Sequence, residues 1–381
     1  MSDFVFQNPT KIIFGKGKIS LIGDEIKNNG YKKVLLLAGG GSIKKNGVYE
    51  QTIKSLDAAG IGWVESWGVK PNPELNKTNE AIRLAKKEEV DSILAVGGGS
   101  VIDTAKTIAA GYYVDDVWKC FEGTQNIDKA LPIFTILTIS ATGTEMNCFA
   151  VLTKEEEHKK WHIDSHLLYP KVSILDPETQ FTLPWNQTAN GAIDALSHIM
   201  EFYFMGTKEE TALALDESLM RTIIKVTDTL KNNPSDYEAR SSLAWAATLA
   251  LNGISGAMLH YGDWSTHTLE HGVSAFKTDV AHGTGLAILF PAWIAYCKDA
   301  NLDTFKRWAK NVWNADSVEE GVLKMKAKYA EWETPISLTE IGVKEEDLEE
   351  IRNITINRFK KFGALKQLDG EDVLEILNLA L

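Results

Sequence analysis

Two uninterrupted apolar runs, each ending in three glycines, constrain the fold more than any other feature of this chain. Residues 33–38 run into Gly39-Gly40-Gly41, and residues 92–96 run into Gly97-Gly98-Gly99. Apolar runs without alternation are typical of strands that are buried on both faces of a parallel sheet. A glycine turn lets such a strand pass sharply into a helix, because glycine tolerates backbone conformations that other residues avoid. The sequence therefore predicts a layered α/β region in this part of the chain.

Strands and helices alternate through the first half of the chain, and helical periodicity alone continues through the second half. Further predicted strands are 63–67, 133–137 and 172–175, and the helices between them are 47–59, 76–89 and 101–111. This alternation indicates a mainly parallel sheet that is covered on both faces. After Pro184 the predicted helices are 188–204, 208–231, 237–251 and 280–298. We therefore predict an α/β domain over residues 1–183 and an all-helical domain over residues 184–381.

The charge and the cysteine content exclude several classes of protein. The 381 residues carry a formal net charge of −12, which argues against nucleic acid and anionic membranes as partners. The N-terminus has no basic segment followed by an apolar one, so we expect no signal peptide. Three widely spaced cysteines predict no disulfide framework, and a reducing, cytoplasmic compartment fits them best.

The turn at residues 97–103 has features of a phosphate-binding site, although its spacing is not GxGxxG. Gly98 and Gly99 allow a ligand to approach the backbone, and the helix that follows offers free N–H groups and the positive end of its dipole. Ser100 and Asp103 have the spacing of a helix-capping pair. A tight, capped turn without a ligand is the alternative interpretation.

The turn after the first apolar run contains no carboxylate that could bind an adenosine ribose. It consists of glycines followed by Ser42, Lys44 and Lys45. In dinucleotide-binding folds an acidic residue near such a strand end binds the ribose, so its absence leaves room for a 2′-phosphate. We therefore expect NADP to be favoured over NAD, with a solvated loop carrying surface lysines as the alternative. A third turn, residues 138–147, is dense in hydroxyls, and three such turns on one sheet support a shared ligand site.

Asp194 and His198 lie four residues apart in a segment with helical periodicity, so their side chains face the same side of one helix. One carboxylate oxygen and one imidazole nitrogen provide half of a divalent-metal site. A hydrogen-bonded pair without a metal is the alternative interpretation.

The remaining metal ligands are ambiguous from spacing alone. Four further histidines follow in the second half: His260, His267, His271 and His282. The four-residue spacing slightly favours His267 with His271. Another four-residue series, His158, His162 and His166, lies in a polar stretch, and we interpret it as surface.

Together these motifs resemble the iron-containing alcohol dehydrogenase family, and within it the butanol dehydrogenase-like, aldehyde-reducing branch. The resemblance covers essentially the whole chain through ordered motifs at residues 8–17, 39–47, 69–73, 97–103, 138–145, 194–198, 264–271 and 371–377. It implies a dehydroquinate synthase-like fold, with a Rossmann-like parallel-sheet domain followed by a C-terminal helical-bundle domain. It also implies a homodimer.

The resemblance implies a complete set of site residues. The metal ligands would be Asp194, His198, His267 and His282, so that His282 replaces His271 in the set favoured by spacing. The cofactor-binding residues would be Gly40, Ser42, Asn72, Gly98, Gly99, Ser100, Asp103, Thr138, Thr142, Asn147 and Lys160. The implied metal is Fe²⁺, and three nitrogens with one oxygen would also suit Zn²⁺, Co²⁺ or Ni²⁺.

The implied reaction is hydride transfer between NAD(P)(H) and short-chain primary alcohols or aldehydes. The metal would polarise the substrate oxygen, and the nicotinamide would supply the hydride chemistry. His271, with an unperturbed pKa of about 6.5, would either transfer the proton or only orient a ligand. Aromatic residues near the metal motifs predict an apolar substrate pocket, with core packing as the alternative: Phe202, Tyr203, Tyr261 and Trp264.

Three other functions compete with this prediction. Glycerol dehydrogenase-like polyol oxidation would use the same fold, and a metal-dependent hydrolase would use the metal to activate water, leaving the glycine turns structural. A non-catalytic binding module is the third. The metal motifs carry no cluster of Arg or Lys, which argues against a phosphorylated substrate.

Overall fold

The computed structural model describes residues 3–259 and 261–381, so the candidate ligand His260 lies outside the described residues. The chain divides into two compact units. One consists of Asn8–Leu183 and Pro234–Ala244, and the other of the N-terminal residues up to Gln7, Pro184–Asn233 and Trp245–Leu381. The observed units differ from the predicted domains 1–183 and 184–381 in two segments, the N-terminal residues and Pro234–Ala244.

A six-stranded sheet, with every neighbouring pair parallel, forms the centre of the α/β unit, in the order β1-β8-β5-β4-β2-β3. The strands are β1 (Lys11–Phe14), β2 (Lys33–Ala38), β3 (Gly62–Ser66), β4 (Ser92–Gly97), β5 (Ile133–Leu137), β6 (Phe149–Lys154), β7 (Lys159–Asp164) and β8 (Val172–Leu175). The helices of this part are α1 (Ile22–Asn28), α2 (Ser42–Lys45), α3 (Val48–Ala59), α4 (Leu75–Lys87), α5 (Gly99–Gly111) and α6 (Trp118–Phe121).

Both faces of this sheet are buried, as the uninterrupted apolar runs require. In β2, Leu35 and Leu37 pack into one hydrophobic cluster, and Val34 and Leu36 pack into the cluster on the opposite face. Because successive side chains of a strand point to opposite faces, a strand covered on both sides needs apolar residues at every position. The predicted parallel α/β sheet is therefore confirmed.

Two features of the α/β unit were not predicted. The edge strand β1 is short, and β6 and β7 form a separate antiparallel hairpin. Two of the three histidines interpreted as surface, His158 and His166, flank β7, and His162 lies within it. All three are exposed, in agreement with that interpretation.

The rest of the chain is helical, which confirms the predicted helical-bundle class. The helices are α7 (Trp185–Tyr203), α8 (Glu210–Asn232), α9 (Tyr237–Ala250), α10 (Ser265–Phe276), α11 (His282–Cys297), α12 (Leu302–Trp313), α13 (Val318–Glu331), α14 (Leu348–Thr355) and α15 (Gly370–Leu379). Helix α7 packs against α8 and α11, and α10 packs against α11 and α14. These contacts bring the histidine-bearing helices together.

Two global properties follow from the described residues. No helix among them is both long and apolar enough to cross a membrane. All three cysteines, Cys120, Cys148 and Cys297, are free and buried.

Candidate functional site

The carboxylate of Asp194 is the point to which three imidazoles converge in the helical unit. Asp194 and His198 lie one turn apart on α7 and are 3% and 4% exposed. His198 Nε2 lies 3.6 Å from Asp194 Oδ1. The i,i+4 spacing therefore brings both side chains to the same buried point.

Two further imidazoles reach the same oxygen from neighbouring helices. His267 is on α10, and His282 is the first residue of α11. Their Nε2 atoms lie 4.0 Å and 3.6 Å from Asp194 Oδ1. A tetrahedral ion with donors at about 2.1 Å separates those donors by about 3.4 Å, so the spacing is close to that of a metal-bound set. The residues present therefore fit a divalent metal.

His267 is oriented by a buried glutamate that sequence reasoning missed. Glu201, on α7, is fully buried, and its Oε1 is hydrogen-bonded to Nδ1 of His267 at 2.8 Å. The same carboxylate accepts the backbone N–H groups of Trp264 and His267, at 2.7 and 3.0 Å. Glu201 thus satisfies free N–H groups at the start of α10 and directs Nε2 of His267 towards Asp194.

His282 is oriented in the same way by Glu270. This glutamate, on α10, is fully buried, and its Oε2 is hydrogen-bonded to Nδ1 of His282. Gly283, next to His282, allows α11 to approach α7 closely, because a Cβ there would lie 2.2 Å from the backbone oxygen of Asn190. Two carboxylate–histidine pairs therefore support the donor set from outside.

The electrostatics of the site oppose a positive charge on His198. Burial holds the pKa of His198 well below its ordinary value, and the neighbouring His267 and His282 lower it further. Burial, together with the carboxylate of Asp263, raises the pKa of Glu201, although the backbone N–H groups that Glu201 accepts oppose this. Neutral imidazoles present the lone pairs that a metal requires.

His271 lies beside this donor set and not within it. Its ring centroid is 5.8 Å from that of His282, and its side chain is half-buried. Donor atoms of Asp194, His267 and His282 all lie within 4.8 Å of one another, whereas His271 forms such a group only with Glu270 and His282. The geometry therefore favours His282 over His271 as the partner of Asp194 and His267, because the start of α11 places a distant histidine beside Asp194.

The four aromatic residues expected near the metal have different surroundings. Trp264 lies at the site, with its ring 5.3 Å from that of His267 and 5.2 Å from that of Phe202. Tyr203 is fully buried and donates its hydroxyl to Glu217, and Tyr261 is 94% exposed. Only Trp264 and Phe202 are therefore placed to form an apolar wall beside the imidazoles.

In the α/β unit, the predicted cofactor turns lie side by side at the carboxyl ends of β4 and β5. A Cβ added at Gly98 would lie 3.0 Å from the side chain of Ile139. A Cβ added at Gly99 would lie 2.7 Å from Cγ2 of Thr142. The glycines therefore permit close contact between the start of α5 and the hydroxyl-rich turn, at the edge where α/β sheets bind ligands.

The remaining predicted cofactor residues differ in accessibility. Gly40 and Ser42 are exposed, Asn72 is half-buried with a φ of 52°, and Ser100 is half-buried. Thr138 is 8% exposed, and Lys160, on β7, is 6% exposed. Lys44, in the same turn as Ser42, lies 4.0 Å from the ring centroid of Trp67.

Two predicted cofactor residues, Asp103 and Asn147, direct their polar atoms into the protein. Asp103 accepts hydrogen bonds from the Thr144 hydroxyl and from the N–H of Val151, at 2.6 and 3.0 Å. Asn147 accepts from Lys106 at 2.9 Å and from a backbone N–H, and its amide donates to the carbonyl of Thr142. These contacts hold the turn in place.

Sequence reasoning missed Glu201, Glu270 and Lys106. Glu201 follows His198 by three residues and Glu270 follows His267 by three, so each shares a helix face with a predicted ligand. Lys106 interrupts an otherwise apolar helical stretch in α5. Charged residues on faces predicted to be buried were the available signal in all three cases.

Comparisons with known proteins agree with this geometry. Residues 9–177 match the family model "Iron-containing alcohol dehydrogenase", and residues 188–381 match "Fe-containing alcohol dehydrogenase family, C-terminal". The chain is 41% identical to a probable NADH-dependent butanol dehydrogenase 2 of Bacillus subtilis, over 100% of both chains. It is 36% identical to the NADPH-dependent aldehyde reductase YqhD of Escherichia coli, over 82% of this chain and 81% of that one.

A solved structure has the same fold along the whole chain. The crystal structure of an NADH-dependent butanol dehydrogenase A from Thermotoga maritima superposes with a TM-score of 0.98 at 49% identity. The match covers 100% of this chain and 99% of that one.

Proposed function

Because the chain belongs to the iron-containing alcohol dehydrogenase family, and so interconverts alcohols and aldehydes, we propose that four residues hold the divalent metal of that reaction: Asp194, His198, His267 and His282. One observation carries the proposal. Three imidazole Nε2 atoms lie 3.6 to 4.0 Å from a single carboxylate oxygen. Two of these imidazoles are fixed by buried glutamates, as is usual for metal-binding histidines.

When bound, the metal polarises the substrate oxygen, and the nicotinamide cofactor accepts or supplies the hydride. The chain's own residues hold and orient these groups. Asp194 contributes the single negative charge of the donor set, and the neutral imidazoles leave the site with a net positive charge. Glu201 and Glu270 keep two of the imidazoles in the required orientation, and Trp264 excludes water from one side.

We propose that His271 transfers the proton in the interconversion of alcohol and aldehyde. Its half-buried imidazole lies next to His282 and outside the donor set, so it can gain or lose a proton while the metal ligands stay neutral. If it only orients a ligand instead, the variant His271→Gln would change metal affinity and leave the pH profile of kcat in place.

The proposed substrates are short-chain primary alcohols and their aldehydes. The apolar wall of Phe202 and Trp264 suits an alkyl group, and relatives named butanol dehydrogenase and aldehyde reductase point to the same class. Neither polyol oxidation nor hydrolysis is favoured by these relatives. Comparing turnover of butanal and butanol with that of dihydroxyacetone and glycerol tests this assignment, and a preference for the polyol pair would contradict it.

The test of the metal site compares two aspartates with the same substitution. Asp194→Asn should lose the bound metal and turnover, yet retain binding of the reduced cofactor as measured by fluorescence. Asp216→Asn is the control, because Asp216 is also buried but lies on α8, outside the donor set. An Asp194→Asn protein that keeps stoichiometric metal and full activity would contradict the proposal. Metal analysis of the same sample tests whether the ion is Fe²⁺, as the family implies, or Zn²⁺.

We further propose that the chain prefers NADPH to NADH. The support is the turn of residues 39–47, which contains two exposed lysines and no carboxylate. The relatives from Bacillus and Thermotoga, at 41% and 49% identity, are named NADH-dependent, and the E. coli relative at 36% is named NADPH-dependent, so the names of the more similar relatives do not support this preference. Measuring kcat/KM with each cofactor tests this proposal, and a higher value with NADH than with NADPH would contradict it.

The domain roles and the assembly complete the proposal. Residues 1–183 would bind the dinucleotide, and residues 184–381 would bind the metal and substrate. The protein would act as a homodimer in the cytoplasm, with no nucleic-acid or membrane partner. Sedimentation analysis at micromolar concentration tests the dimer.

A further inference from the structure

We propose that Lys106, acting with Asp103, is a positioning residue that holds the hydroxyl-rich turn of residues 138–147 in its cofactor-binding conformation. This inference rests on the proposed function, because it assigns the cofactor to that turn. Lys106 does not itself contact the cofactor, since its side chain is fully buried.

The ammonium group of Lys106 makes three hydrogen bonds to one short segment. Its Nζ donates to Oγ1 of Thr144 at 2.7 Å, to Oδ1 of Asn147 at 2.9 Å and to the carbonyl of Phe149 at 2.8 Å. An ammonium has three protons and no acceptor, so these contacts use its full donor capacity. The cation is therefore committed to holding this segment against α5.

Asp103 completes the contact from one turn earlier on the same helix. Its carboxylate accepts the hydroxyl proton of Thr144 and the N–H of Val151, at 2.6 and 3.0 Å. Thr144 therefore accepts from the ammonium and donates to the carboxylate, which fixes the direction of its hydroxyl. Asp103 and Lys106, three residues apart on α5, therefore hold both the start of the hairpin and the turn before it against this helix.

The contacts made by Lys106 and Asp103 continue to the residues that lie beside the glycine turn. Asn147, held by Lys106, donates its amide to the carbonyl of Thr142 at 3.3 Å. The side chain of Thr142 in turn packs against Gly99, where a Cβ would lie 2.7 Å from it. A chain of contacts thus runs from the buried ammonium to the edge of the predicted phosphate site, and loss of the ammonium would release the turn from α5.

Burial works against the charge of Lys106 but does not remove it at neutral pH. Burial lowers the pKa of Lys106 to about 8, and Asp103, Cys148 and Glu145 oppose this effect. At pH 7 the group is therefore mostly protonated. Above pH 8 it loses one donor proton together with the charge that strengthens all three bonds. Binding of the cofactor should weaken in the same range of pH.

The experiment compares Lys106→Met with Thr107→Val in the full-length protein. Thr107 is the matched control, because it is fully buried on the same helix and its hydroxyl donates to the helix carbonyl of Asp103. In Lys106→Met we expect KM and Kd for the reduced cofactor to rise about tenfold or more, as expected for the loss of charged hydrogen bonds. We expect kcat at saturating cofactor and the metal content to stay within about twofold of the wild type.

Two further measurements separate positioning from a general loss of structure. The wild-type KM for the cofactor should rise above about pH 8, and in Lys106→Met this rise should be absent. If Lys106→Met does not fold, Thr144→Val removes the central hydroxyl and should raise the cofactor KM in the same direction. Where both single variants fold, the double variant should lose less cofactor-binding free energy than the two single variants lose in sum, because the two side chains act together.

The outcomes distinguish this inference from the proposed function. If the wild type binds neither NADH nor NADPH by fluorescence titration, the proposed function fails. If the wild type binds cofactor, and Lys106→Met and Thr144→Val bind it as tightly as Thr107→Val does, the positioning role is overturned.

Discussion

Two buried aspartates on neighbouring helices, Asp194 and Asp216, differ in what surrounds them. Asp194 faces the imidazoles of three histidines. Asp216, on α8, is fully buried, and neither of its oxygens has a hydrogen-bond partner among the described residues. Burial, with the nearby carboxylate of Glu217, raises the pKa of Asp216 well above its ordinary value. A buried carboxyl without partners destabilises the fold.

Replacing Asp216 by Asn should stabilise the protein near neutral pH. The folded-state pKa lies above the unfolded value of about 3.9, so the native state binds the extra proton and loses stability as pH rises above about 4. Asn does not ionise, so the variant should gain about 1–3 kcal/mol at pH 7 and much less at pH 4. Urea unfolding at both pH values measures this, and an equal effect at the two values would contradict the assignment.

The glutamates that orient the proposed metal ligands should control metal affinity without binding the metal. Glu270→Gln keeps the size of the side chain but weakens its bond to Nδ1 of His282. We expect metal affinity to fall about 10- to 100-fold, as measured by competition with a chelator. Glu217→Gln is the control, because Glu217 is a buried glutamate that bonds Tyr203 and Arg307 instead. Equal metal affinity in the two variants would argue against this role of Glu270.

For single residues, the sequence predicted a contact only where helix geometry alone determines it. Asp194 and His198 share a face of α7 at any tertiary arrangement, so their proximity followed from spacing. The choice between His271 and His282 depends on how α11 meets α10, which no local pattern contains. For the same reason Glu201 and Glu270 could be recognised only as charges on buried faces.

The close approach of α11 to α7 sets where His282 lies. Helix α11 begins beside Asn190 of α7, and Gly283 leaves no Cβ at the point of approach. The Thr284 hydroxyl donates to the Asn190 side chain at 2.8 Å, which fixes the same contact.

Gly283→Ala should therefore displace the start of α11. Its Cβ would lie 2.2 Å from a backbone oxygen that cannot rotate away. We expect a loss of about 1–3 kcal/mol in the free energy of unfolding, together with weaker metal binding. Gly62→Ala, on β3, provides the control, since its Cβ would meet only ordinary contacts at 3.7 Å. Unchanged metal content in Gly283→Ala would show that α11 tolerates the shift.

Strands with continuous apolar runs and helices with regular periodicity were predicted from the sequence. The hairpin, whose pattern is mixed, was not. Strands β2, β4, β5 and β8 are mainly apolar and are buried at nearly every position, because both of their faces are covered. The β6–β7 hairpin alternates buried and exposed positions and contains charged residues, so its pattern does not differ enough from that of a solvated loop. The hydrogen bonds that join the hairpin to α5 through Asp103 and Lys106 depend on the tertiary structure, so no local pattern predicts them.

For the molecule as a whole, metal binding should contribute to stability. The proposed ligands come from three helices, α7, α10 and α11, so a bound ion links segments that are separated in the chain. Removing the metal with a chelator should lower the melting temperature, and adding metal should restore it in a concentration-dependent manner. A metal at about 100 times its Kd contributes about 2.7 kcal/mol. The Asp194→Asn protein should not respond, and an equal response would place the metal elsewhere.

The division of the chain shows what composition and periodicity leave undetermined. The change from alternating strands and helices to helices alone indicated a boundary near Pro184. Residues Pro234–Ala244 belong with the α/β unit although their own periodicity is helical. Which unit a helical segment packs against depends on long-range contacts and leaves no local signal.

The burial of the three cysteines has a consequence for a protein that handles aldehydes. Thiolates add to aldehyde carbonyls, and only the ionised form reacts quickly. Cys120, Cys148 and Cys297 are 8%, 9% and 1% exposed, and burial raises the pKa of each thiol, to about 12 for Cys297. The folded chain therefore offers its own electrophilic substrate no accessible sulfur nucleophile and resists inactivation by the compound it converts.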